Sequence, residues 1–250
     1  MYGRRGRIGL ITLASDSSVL PEYARVMPED VAVYAAPIVL PCGEVTAPAL
    51  AEMLAGDQLE RAAALLVWTD VDIIVFACTT GSLVHGVGWD REVAARIARA
   101  SGRRAATTTT TAVLGALEAL GATSLAVATP YLEELNVIER QFLEASGFAV
   151  VSIAGLGCAT DAEIGKLEPV DAVSLVERVD TPEADAVFIS CTNFHCLPAI
   201  ASLERQLGKP VVTSNLAGAW AALRQIGVED PIPGYGQLLL LPAVAEAMAP

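Results

Sequence analysis

Two short apolar runs end in the same pair of residues. Ile73-Ile74-Val75-Phe76-Ala77 is followed at once by Cys78-Thr79, and Ala186-Val187-Phe188-Ile189-Ser190 by Cys191-Thr192. A thiol at the end of a buried strand can serve as a base when ionised, as an acid when protonated, or as a nucleophile toward carbon. Two such thiols facing one small molecule would offer an acid and a base to opposite faces of a carbon. Cysteine after an apolar strand is also ordinary core filling; the matched positions and the shared Thr argue for chemistry at Cys78 and Cys191. Cys42, between a Pro and a Gly, is a weaker candidate for substrate contact. Cys158 and Cys196 read as structural, the first lying away from a clear strand end and the second inside a helix expected to begin after Cys191.

Hydrophobic patterning gives the elements that must position these thiols. Short apolar runs alternate with longer Ala- and Leu-rich segments, as in crossover units on a parallel sheet. Strands are expected at 7–13, 31–36, 73–77 and 105–108, then, after a helix at 112–120, at 124–128, 149–153, 186–190 and 210–213. About 70 residues separate the first strand from the cysteine in each half. The chain therefore reads as an α/β fold of two pseudo-symmetric domains, each with a four-stranded parallel sheet flanked by helices. The expected boundaries are 1–111 with a returning segment 217–250, whose last apolar stretch reaches residue 248, and 112–216. Ligands of open α/β sheets bind beyond the carboxyl ends of the strands, so if the halves face each other the active site is expected in the interdomain cleft. Were Cys78-Thr79-Thr80-Gly81-Ser82 to open a helix, its amides and hydroxyls would bind a carboxylate and lower a thiol pKa from its usual value of about 8.5. Thr107 to Thr111 supply further hydroxyls at a strand edge.

With 53% hydrophobic residues among 250, the chain can bury a substantial core. A net charge of −13 opposes binding to nucleic acid or an anionic membrane surface. No apolar stretch reaches the roughly 20 residues of a membrane span. Five cysteines without close pairing fit a reducing compartment, and the basic residues Arg4, Arg5 and Arg7 lead into a strand rather than a signal peptide, so a cytoplasmic protein is expected. His85 and His195 are the two histidines, no compact Cys/His pattern accompanies them, and no metal is expected. No phosphate-binding glycine loop occurs, so no cofactor is expected. Cys191 and His195 lack an orienting acid, which weakens a hydrolase reading.

Together these landmarks resemble the aspartate/glutamate racemase superfamily, in the branch of maleate cis-trans isomerase, arylmalonate decarboxylase and ectoine-utilisation isomerase-like proteins. The resemblance rests on Ile8-Gly9-Leu10-Ile11, the Cys78 loop, Val127-Ala128-Thr129-Pro130-Tyr131, Cys191-Thr192 and Pro233-Gly234-Tyr235-Gly236, and covers nearly the whole chain. It implies two similar domains closing over a small carboxylate substrate without metal or cofactor, a homodimer, and Cys78 and Cys191 as the catalytic pair. Substrate contacts are expected from Asp16, Ser17, Thr79, Thr80, Tyr131, Asp161, Thr192 and Asn193. The decarboxylase branch characteristically keeps only the second cysteine, so the presence of Cys78 favours isomerisation or racemisation. Maleate isomerases characteristically carry Asn where this chain has Asp16 and Asp161, and two added carboxylates disfavour a dianion. Asp16-Ser17 is instead similar to the Asp-Ser of amino-acid racemases, although Asp16 also suits a turn. The expected function is a cofactor-independent racemase or epimerase of a small amino or related carboxylic acid, working by two-cysteine proton transfer. The alternatives are a maleate-like cis-trans isomerase acting through a covalent Cys78 adduct, an arylmalonate-type decarboxylase in which Cys191 protonates the carbanion, and a non-enzymatic carboxylate-binding protein.

Overall fold

In the computed structural model, which describes residues 2–243, eight strands form two parallel sheets of four. In the first, β1 (Gly6–Leu13), β2 (Val31–Ile38), β3 (Ile73–Ala77) and β4 (Ala105–Thr108) lie in the order β2-β1-β3-β4. In the second, β5 (Ser124–Tyr131), β6 (Ala149–Cys158), β7 (Ala186–Ile189) and β8 (Val211–Thr213) repeat it as β6-β5-β7-β8. The central strands pair Ile8 with Ile73 and Leu125 with Ala186, so the cysteine-bearing strands β3 and β7 hold equivalent places. Every residue of β3 and β7 is buried, because helices cover both faces of a parallel sheet and leave no polar side to alternate with.

Two expectations need correction. β5 and β6 run on to Tyr131 and Cys158, so Cys158 does end a strand. Residues 191–196 turn irregularly, with a short 3₁₀ turn only at Leu197–Ala199, which removes Cys196 from a helix; Asn193 must point back across the cleft, and a helix would not let it. The tract of threonines divides, Thr107 and Thr108 closing β4 and Thr109 to Thr111 opening the helix Thr109–Ala119. Thr108 Oγ1 accepts from Thr111 N, and in the other half Thr213 Oγ1 accepts from Leu216 N. Both are N-caps that satisfy an otherwise orphaned amide where a strand passes into a helix.

The helix Ser214–Gln225, mostly apolar, is buried along nearly all its length. It packs on the helix Thr109–Ala119, on β3 and on the helix Val19–Val26. Gly218 lets that last helix approach: a Cβ there would stand 2.1 Å from Tyr23 Oη. Arg224 closes the joint, its buried guanidinium donating to the carbonyls of Leu241, Val228, Asp230 and Leu239. The part of the expected returning segment beyond residue 243 lies outside the described residues. Among the described residues no helix is long and apolar enough to cross a membrane.

Candidate active site

The two cysteines meet between the halves. Cys78, 3% exposed, is the N-cap of the short helix Thr79–Leu83, and Cys191, 7% exposed, leaves β7 with φ of 95°. That is left-handed backbone, which a side chain rarely adopts and which the surroundings must impose. Ser214 helps to impose it: its hydroxyl accepts from Cys191 N at 3.1 Å and from Thr79 Oγ1 at 2.8 Å. Thr192 Oγ1 donates to Ala77 O at 3.4 Å in the opposite half. Each cysteine loop is thus tied to the other.

Cys78, Thr79, Thr80, Tyr131, Asp161, Cys191 and Thr192 line one enclosed cavity of about 10 Å³, room for about one water. Its remaining wall is aliphatic: Leu13, Leu40, Val45, Leu50 and Ile164. Leu40 and Val45 belong to a first-half loop clasped to the second half, with Val45 N donating to Ala159 O at 2.9 Å and Glu44 bridged antiparallel to Thr160. The clasp roofs the thiols.

Three of the expected contacts, Asn193, Ser17 and Asp16, do not line this cavity. Asn193 is a strut: its Oδ1 accepts from Ser17 N at 2.9 Å and Ser17 Oγ at 3.2 Å, while its Nδ2 donates to Asp161 O at 3.0 Å. Ser17 itself is exposed beside an outer depression lined also by Glu22 and His195. Asp16 stands at the start of the helix Val19–Val26, its Oδ1 accepting from Ser18 N and Val19 N at 2.9 Å each. The turn role of Asp16 is therefore real, yet its Oδ2 is buried without a hydrogen-bond partner, as is Asp161 Oδ2.

The electrostatics follow from burial. No Arg, Lys or His lines the cavity. Loss of water pushes the Asp16 carboxyl up to about 6, against the two amides that hold its charged form. Burial likewise pushes the Cys78 thiol up to about 12, with Asp161 and Asp16 adding to the rise, although the Gly81 amide and Thr80 hydroxyl favour the thiolate. Cys191 is driven well above its ordinary value, mainly by burial and then by Asp161, while the Tyr131 hydroxyl works in the other direction. The expectation that loop donors would lower the thiol pKa is corrected: in the closed cavity desolvation outweighs them, and both sulfurs are protonated.

Sequence reasoning missed Ser214 as the pin between the loops. It also missed Glu22, which accepts from Cys196 N, Leu197 N and Asn215 Nδ2 and holds the segment after Cys191. The signal available for Glu22 was its place on the buried face of a short amphipathic helix.

The family described as arylmalonate decarboxylase matches residues 8–239. A maleate isomerase of Nocardia farcinica is 30% identical, the match covering 75% of this chain and 78% of that protein. An arylmalonate decarboxylase of Bordetella bronchiseptica is 32% identical over 64% of this chain and 68% of that one. Among solved structures, a Cys-to-Ser mutant of the Nocardia farcinica maleate cis-trans isomerase, with a covalently bound succinylcysteine intermediate, superposes with a TM-score of 0.88 at 27% identity, covering 94% of this chain and 98% of that one. With the same doubled sheet and a family match along almost its whole length, the chain belongs to the arylmalonate decarboxylase family, in the maleate isomerase and arylmalonate decarboxylase branch of the Asp/Glu racemase superfamily.

Proposed function

We propose that this enzyme isomerises a small cis-unsaturated carboxylate of the maleate type through a covalent adduct on Cys78. The racemase expectation yields to this alternative because four of the matching curated relatives are maleate isomerases, at 26 to 30% identity. The observation that carries the reading is the pair of thiols, one from each half, lining a single closed cavity. A decarboxylase would use only a proton donor on one side.

The chemistry follows from that pair. Water must reach Cys78 for it to ionise, so the thiolate forms with the clasp open and is trapped as the halves close over substrate. Cys78 then bonds to one alkene carbon, the π electrons move toward the adjacent carboxylate-bearing carbon, and Cys191 gives that carbon its proton. The saturated thioether rotates about what is now a single bond. Cys191 takes the proton back, the C–S bond breaks, the double bond re-forms in the trans geometry, and the Cys78 thiolate is regenerated. The amides around Thr79 and Thr80 hold the carboxylate on which negative charge develops, and one such donor in a closed site is worth about 3 kcal/mol. The Nocardia farcinica structure, with its succinylcysteine, is a saturated thioether of this kind.

Proton NMR in deuterium oxide tests the reading. Maleate is expected to convert to fumarate with the native enzyme, and Cys78→Ser and Cys191→Ser should each lower the rate by roughly a thousandfold. Absence of fumarate, with α-deuteration and inversion of a saturated amino acid, would restore the racemase reading.

A further inference from the structure

The thiol cavity has one polar atom in its wall that nothing in the protein satisfies. Asp161 lines the cavity beside Cys78 and Cys191, is 2% exposed, and carries an oxygen, Oδ2, to which no protein group donates. Its backbone is firmly held. Asp161 opens the short helix Asp161–Ile164 after the cap Thr160, whose hydroxyl accepts from Glu163 N, and its carbonyl accepts from Gly165 N and Asn193 Nδ2. The same Asn193 side chain accepts from Ser17 N, which laces the Asp16 turn to this helix. Gly165 permits the approach, since a Cβ there would stand 3.1 Å from Ser17 Oγ and 3.2 Å from Asn193 Nδ2. Asp16 Oδ2 is a second buried carboxyl oxygen at this seam without a donor.

An aliphatic side chain at this position would match Leu13, Leu40 and Ile164 in the same wall without the penalty of an unsatisfied buried acceptor. An ionised carboxyl only accepts hydrogen bonds, and a ligand's own carboxylate has no hydrogen to offer it. The cavity thus presents donors from the Cys78 loop, which take the reacting carboxylate, and an acceptor from Asp161, with no Arg, Lys or His in its lining. A dicarboxylate is matched by the first and not by the second. We infer that Asp161, backed by Asp16, selects a substrate whose second polar group carries N–H donors: a cis-unsaturated monocarboxylate with a carboxamide or ammonium nitrogen where maleate has its other carboxylate. The inference deepens the proposed isomerisation and rests on the two-thiol cavity being its site.

The two acids divide the work. Asp161 makes the contact, its Oδ2 accepting one N–H of the substrate. Asp16 contributes charge from behind, because its carboxyl is ionised above about pH 6 and a second substrate carboxylate would meet that charge. The covalent steps keep their balance. Cys78 bonds to the alkene carbon on the nitrogen side, the carbon next to the carboxylate takes the Cys191 proton, and both events reverse after rotation, while the nitrogen neither gains nor loses a hydrogen.

Isothermal titration of the full-length enzyme at pH 8 with succinate, succinamate and 4-aminobutanoate reads the recognition without the chemistry, since these saturated acids have no double bond for Cys78 to attack. Succinamate or 4-aminobutanoate should bind roughly tenfold or more tightly than succinate, and which of the two leads tells a neutral nitrogen from a charged one. Asp161→Ala should abolish the preference, and Asp161→Asn should shift it toward succinate. The ratio compares ligands on one preparation, so a variant that folds only in part still reports it. Succinate binding at least as tightly as both nitrogen compounds, no binding of either nitrogen compound, or a preference that survives in Asp161→Ala would overturn the inference. Among unsaturated acids, maleamate or cis-4-aminobut-2-enoate should be isomerised with a higher kcat/KM than maleate. If none is isomerised while the titration shows an Asp161-dependent preference, the isomerase reading fails and this inference stands. If maleate is isomerised while succinate leads the titration, this inference fails and the isomerase reading stands.

Discussion

Cys78 and Asp16 pull the site in opposite directions. In the proposed reaction Cys78 needs a pH high enough to ionise, whereas the neighbouring carboxyl carries negative charge above about pH 6 and should repel a dianionic substrate. Asp16 should thus contribute a descending limb to kcat/KM for maleate as pH rises through that value, and Asp16→Asn should remove it. Two unit charges about 4 Å apart at a partly screened site interact by about 4 kcal/mol at most. A gain of roughly tenfold in kcat/KM at pH 8, carried mainly by KM, is the expected result after screening and relaxation. Asp161→Asn should act in the same sense, since Asp161 lines the cavity directly. Loss of maleate turnover in either variant would show that the carboxylates bind substrate rather than repel it. The acidic pair itself was legible in the sequence. The fate of Asn193 was not, because its amide is spent on Ser17, 176 positions away, and no local pattern encodes that distance.

At the scale of elements, the parallel sheets were the most readable part of the chain. β3 and β7 are buried on both faces, and continuous apolar runs ending at cysteine announce both their span and their direction. The segment after Cys191 was misread because nothing in its composition reveals the left-handed Cys191 backbone or the Glu22 carboxylate that holds Cys196 and Leu197. The joint between the helices Val19–Val26 and Ser214–Gln225 makes a separate prediction. Gly218→Ala places a methyl against Tyr23 Oη and should destabilise the fold by about 1–3 kcal/mol, measured by urea unfolding. Adding Tyr23→Phe removes the clashing oxygen and should recover most of that loss. An unaltered midpoint in the single variant would mean that the two helices are not packed as described.

Across the whole molecule, stability depends on a buried acid. Glu139, on the helix Glu133–Ala145, has its native pKa raised by burial from 4.5 to about 7, so between those values the folded protein binds the extra proton, and stability falls as pH rises through that window. Glu139→Gln should be indistinguishable from the native protein near pH 4.5 and more stable at pH 8, by up to about 3 kcal/mol. A constant difference across that range would place the effect in packing instead of ionisation. Closure is the other property of the whole. With the cavity at about 10 Å³, both thiols are buried and neutral, and the proposed isomerisation calls for a more open arrangement in which the clasp at Glu44 and Thr160 has parted. The thiol pKa values were unreadable from sequence for this reason, since they depend on how tightly two halves meet. The account stands or falls on the covalent step. Intact-mass and peptide mass spectrometry of Cys191→Ser incubated with maleate should show the added mass of one maleic acid on Cys78, absent in Cys78→Ser; fumarate formation by the native enzyme with no adduct on Cys78 in any variant would contradict it.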